Sequence, residues 1–79
     1  MLKAYRLCVS SPPDREKLVA EIFFGDDQFA ELNQEGAELQ LEIYSRRDGK
    51  PWQVPLGTLE KALADARLRL VGERRDIVI

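Results

Sequence analysis

Two adjacent carboxylates, Asp26 and Asp27, follow Gly25, and paired acids of this kind serve either proton transfer or cation binding. No D-x-D-x-D-G loop continues from them, so their spacing fits turn residues better than a calcium site. The single thiol, Cys8, sits among apolar neighbours and is expected to be a small buried hydrophobe rather than a nucleophile. Ser10 and Ser11 have no base near them in the chain. Histidine is absent, which removes the Ser-His and Cys-His pairs and most zinc sites. One cysteine also excludes an intrachain disulfide and any multi-cysteine metal centre. Gly25, Gly36, Gly49, Gly57 and Gly72 are spread along the chain, with no phosphate-cradling cluster. These residues point away from an enzyme, and neither a cofactor nor a metal is expected.

Binding chemistry is better represented. From Leu18 to Glu42 there are seven acids (Glu21, Asp26, Asp27, Glu31, Glu35, Glu38 and Glu42) and no lysine or arginine. Beyond Glu42 the balance turns basic, with Arg46, Arg47, Lys50, Lys61, Arg67, Arg69, Arg74 and Arg75 against five acids. Blocks of one sign speak about partners and solubility, not about fold. An acidic block of this size opposes phosphate binding, so nucleic acid is not an expected partner. No apolar run reaches the length of a membrane span, and "MLKAYRLCVSSPP" has no core long enough for a signal peptide. The expected setting is the cytoplasm, without membrane contact.

The elements that position these groups are legible as periods. A chain of 79 residues, 44% hydrophobic and 33% charged, makes one domain with room for one sheet and one helix. "AELQLEIYS", Ala37 to Ser45, alternates strictly, with Leu39, Leu41 and Ile43 on one side and Glu38, Gln40, Glu42 and Tyr44 on the other. "QFAELNQ" alternates before it, and Glu35-Gly36 is expected to close a hairpin between the two. "LVAEIFFG" is a third strand that turns at Gly25-Asp26-Asp27. Lys3 to Val9 reads as a fourth strand, and "SSPPDREK" breaks the chain after it. Leu56, Leu59, Leu63, Ala66 and Leu70 then recur at helical spacing, with Thr58 as N-cap and Gly72 just past the end.

The expected fold is α+β: a three- to four-stranded antiparallel β-meander with one C-terminal amphipathic helix packed on one face. Its segments are 1–17 (N-terminal strand and linker), 18–45 (meander), 46–57 (connector), 58–71 (helix) and 72–79 (tail), where "DIVI" either adds a strand or frays. Ile22, Phe24, Leu32, Leu39, Leu41 and Ile43 would face the helix. Trp52 is expected to cap one end of that core. One helix cannot cover both sides of a sheet. The other side should carry Glu21, Phe23, Phe29, Glu31, Glu38, Glu42 and Tyr44, bordered by Arg46 and Arg47. Aromatics supply contact area and carboxylates steer a basic partner, so these nine residues form the expected binding surface. The alternative is a solvated face that keeps the sheet soluble.

With the meander, the connector and the helix in place, the run from Glu21 to Gly72 resembles the small immunity-type proteins that accompany secreted bacterial toxins. The residues that carry the resemblance are "AEL.QEG" at Ala30 to Gly36, "EIY" at Glu42 to Tyr44, "DGKPW" at Asp48 to Trp52, and the Leu/Ala-rich helix. The resemblance implies a compact cytoplasmic protein that binds a cognate toxin and blocks it stoichiometrically, and the acidic face adds the expectation that the toxin domain is basic. A homodimeric structural or regulatory subunit, pairing through its outer sheet faces, is the competing expectation.

Overall fold

A computed structural model describes residues 5–72. Four strands, β1 (Tyr5–Ser10), β2 (Val19–Phe24), β3 (Asp27–Asn33) and β4 (Gln40–Ile43), precede one helix, α1 (Leu56–Val71). The strands form one antiparallel sheet in chain order, so the α+β meander is present with its fourth strand in place. The "DIVI" tail lies outside the described residues. No described helix is long and apolar enough to cross a membrane.

The β2–β3 hairpin closes through Gly25 and Asp26, with Phe24 paired to Asp27. Gly25 has φ +65° while Asp26 stays at negative φ. That is the pattern of a two-residue turn with glycine first, whose twist matches the strands it joins. Here the expectation from "GDD" is met. The β3–β4 connection departs from expectation: β4 begins at Gln40 rather than Ala37, and residues 34–39 form a loop instead of a tight Glu35-Gly36 turn. Gly36 has no positive φ.

Ala20, Ile22 and Phe24 of β2, Ala30 and Leu32 of β3, and Ala62, Ala66 and Leu70 of α1 form the core. Ala62 and Ala66 are fully buried, and their small side chains let the helix axis lie close to β2. The helix starts at Leu56, three residues earlier than Thr58 as N-cap would have it. Pro55 occupies the cap position, makes no side-chain cap bond, and its carbonyl accepts from the Leu59 N–H. At the other end Gly72, φ +79°, donates its N–H to the Leu68 carbonyl, the expected left-handed stop.

α1 covers only part of the inner face. It packs on β1 and β2, and Asp65 accepts a hydrogen bond of 3.0 Å from the Tyr5 hydroxyl. A helix is ~10–12 Å across and strands lie ~4.8 Å apart, so one helix shields about two strands. The inward side chains of β4 are therefore left out. Leu41 is 39% exposed and Ile43 57%, although the sequence pattern places both in the core.

Candidate functional site

The outer face is not the open acidic-aromatic surface that strict alternation predicts. Register puts Glu21, Glu31 and Glu42 directly opposite one another across β2, β3 and β4. Like charges in facing positions repel, so this row needs a cation. Arg15 supplies it. Its Nε donates to Glu31 at 2.8 Å and its Nη2 to Glu42 at 2.7 Å. Arg15 belongs to the 11–18 connector, which lies over the outer face. The backbone N–H groups of Glu16 and Lys17 bond to the Glu35 carboxylate, and the Leu18 carbonyl accepts from Gln34. Beneath it Val19, Glu31 and Asn33 are buried. Burial alone lowers the Arg15 pKa, but the charge and hydrogen bond of Glu31, with Glu42 and Asp14 nearby, outweigh it and raise the pKa.

The Tyr44 hydroxyl donates to the other oxygen of Glu31 at 3.2 Å. Burial, reinforced by the Glu31 charge and this hydrogen bond, pushes the Tyr44 pKa up to about 12. Glu31 is thus held from both sides and is a structural group of the sheet, not a free steering charge.

Phe29 is the clearest correction. Ile22 pairs with Ala30 and Phe23 with Gln28, so Phe29 has no partner on β2 and is the extra residue of a β-bulge. The bulge turns its ring inward, where it is 5% exposed. Its centroid is 5.2 Å from Phe24 and 5.1 Å from Trp52, both edge-to-face. Trp52 donates its indole N–H to the Tyr44 carbonyl at 2.8 Å and packs against the core, as expected. Glu38 is also displaced. It lies in the 34–39 loop and lines a groove on the helix side. Cys8, expected buried, is exposed on β1.

The remaining expected residues split into two places. Glu21 and Glu42 stay on the outer face, Glu42 tied to Arg15. Phe23, Tyr44 and Arg47 meet at the end of the sheet beside the β2–β3 turn. With Asp26, Asp27 and Trp52 they line an open concavity of about 420 Å³. Arg6 lies over the Phe23 ring at 4.1 Å. Arg47 holds Asp27 through two nitrogens on one oxygen, at 2.6 and 2.9 Å. Arg46 pairs with Asp48 at 3.3 Å and stands 5.8 Å from the Trp52 ring. Asp26 is exposed and has no ion-pair partner among the described residues.

Arg15 was invisible to the sequence pattern because its own segment, Asp14 to Lys17, carries balanced charge. The available signal was the acidic block itself, whose facing glutamates demand a cation from elsewhere in the chain. Among the described residues, no group of three acids, cysteines or histidines is placed to hold a metal ion. No protein-family model, curated protein or solved structure matches the chain.

Proposed function

We propose that the chain is a non-catalytic protein-binding module, an immunity-type inhibitor that neutralises a toxin by occupying its basic surface. The observation that carries this reading is the concavity at the end of the sheet. Phe23, Tyr44 and Trp52 line it together with Asp26, an exposed carboxylate with no ion-pair partner among the described residues, while the one arginine in the lining, Arg47, is bound to Asp27. A lysine or arginine of a partner entering there meets aromatic rings and an unneutralised acid together. Inhibition by occlusion asks for shape and charge and needs no proton transfer. The carboxylates around the site steer a basic partner and raise the rate at which it docks.

The test uses the product of the neighbouring gene. Co-expression of this chain should relieve the growth defect that product causes, and calorimetry should show a one-to-one complex. Asp26→Lys should weaken the complex by about tenfold or more, and added salt should weaken the wild-type complex. A complex indifferent to both changes, or a neighbouring product that is acidic and harmless, would refute the reading.

A further inference from the structure

We propose that the free edge of β4 is a strand-addition site for an extended partner segment whose residues alternate basic and apolar. This rests on the protein-binding reading and names a second, separate contact for it. The Tyr44 N–H bonds to the Phe29 carbonyl at 2.9 Å, and the β3–β4 register continues from that pair. Antiparallel bonding alternates, so Gln40, Glu42 and Tyr44 turn their backbone groups toward β3. Leu41 and Ile43 turn theirs away from it. Among the described residues nothing pairs with them. Such an edge is a template for another strand.

Both sides of the edge define what fits. On the helix side, Leu41 and Ile43 are exposed, and a groove of about 440 Å³ runs between Leu32, Leu39 and Leu41 and Leu63 of α1. Apolar side chains of an added strand would enter this uncovered half. On the outer side Glu42 stands at the edge of the Glu21, Glu31 and Glu42 row, where Arg15 offsets one charge of three. A basic residue opposite Glu42 completes that neutralisation. A second copy of this chain fits less well, because pairing β4 with itself around Glu42 sets two glutamates face to face. β1, the other edge, offers no comparable opening, since α1 packs on it and Asp65 holds Tyr5. β4, "QLEI", carries no lysine, proline or bulge to blunt its edge.

The probes are two short capped peptides, one alternating lysine and valine, the other glutamate and valine, titrated into the isotopically labelled protein. In the free monomer, the amide protons of Leu41 and Ile43 should exchange faster than those of Gln40 and Glu42. The lysine peptide should shift and protect Leu41 and Ile43, and the glutamate peptide should bind about tenfold more weakly. Ile43→Pro removes an outward donor without touching the bonds to β3, and should cost the lysine peptide about tenfold in affinity. Ile43→Lys, which leaves the backbone intact, should do the same by putting a charge where the peptide's valines would pack. Asp26→Lys should bind the peptide within about twofold of wild type, since it alters only the concavity at the sheet end. A partner complex that ignores Asp26→Lys but fails with Ile43→Lys would thus sink the concavity and leave the edge standing. Protected Leu41 and Ile43 amides in the free protein would overturn the proposal, showing that a second copy or the chain's own tail already occupies the edge. So would peptide shifts confined to β1 or the outer face.

Discussion

Replacing Phe29 by alanine separates the bulged sheet from the regular one that alternation predicts. In the bulged sheet the ring is 5% exposed and packs edge-to-face on Phe24 and Trp52. Truncating a buried phenylalanine costs ~3–5 kcal/mol, and each aromatic pair contributes about 0.5–1.5 kcal/mol within that total. A domain of this length is stable by about 4–12 kcal/mol, so the variant should lose at least about a quarter of that margin and, at the lower end, all of it. A loss of ~3 kcal/mol corresponds to a fall in Tm of about 12–24 °C for a domain this small. The assay is equilibrium unfolding in urea, followed by far-ultraviolet circular dichroism and by the fluorescence of Trp52. Circular dichroism is the primary signal, because the substitution also changes the tryptophan's surroundings. Phe23→Ala is the control, since Phe23 is on the outer face under Arg6 and should cost less than Phe29→Ala. A Phe29→Ala loss below ~1 kcal/mol with an unchanged slope in urea would place the ring in water and refute the bulge.

Tyr44 should ionise near pH 12, above the ordinary value of 10. Its folded pKa is raised, so its contribution to stability is whole below about pH 10 and is lost as pH climbs toward 12. Tyrosinate absorbance should show this, and Tyr44→Phe should flatten the decline in stability over that range. The Tyr5 pKa is raised as well, mainly by its hydrogen bond to Asp65, so the assignment needs the Tyr44 variant. The two turn glycines should respond with opposite sign. Gly25→Ala forces a positive φ and should destabilise by ~1 kcal/mol, although open space surrounds the new methyl group. Gly36→Ala, at ordinary φ and also in open space, should be neutral or stabilising by up to about 1 kcal/mol in thermal melts.

The sequence pattern announced what neighbouring residues decide among themselves. Alternation in "LVAEIFF" and "FAELN" produced β2 and β3, Gly25-Asp26 produced their turn, and the Leu/Ala spacing produced α1 with its stop at Gly72. It failed where a distant group intervened. Phe29 leaves the alternation because Trp52, much later in the chain, offers its ring an apolar place. Glu31 looked like a surface acid until Arg15 and Tyr44 closed around it. Leu41 and Ile43 were rightly placed on the helix-facing side, but periodicity says nothing about how wide a cover the helix provides. The candidate site was accordingly half visible. Phe23, Tyr44 and Arg47 do share a concavity, whereas Phe29 and Glu38 left the group and Asp26 and Trp52 joined the remainder.

The strand order carries a further consequence, for the order of folding. Each strand pairs with the one next to it in the chain, so the sheet assembles from hairpins whose closure costs little loop entropy. The bond from Tyr5 to Asp65, 60 residues apart, belongs to a different step, the docking of α1 across the first two strands. Low sequence separation elsewhere favours rapid collapse of the meander, leaving helix docking as the slower event. Trp52 precedes α1 in the chain and packs on Phe24 and Phe29 of the sheet. Stopped-flow fluorescence therefore follows the connector closing onto the sheet, while a variant that weakens the α1–β1 contact should speed unfolding more than it slows folding.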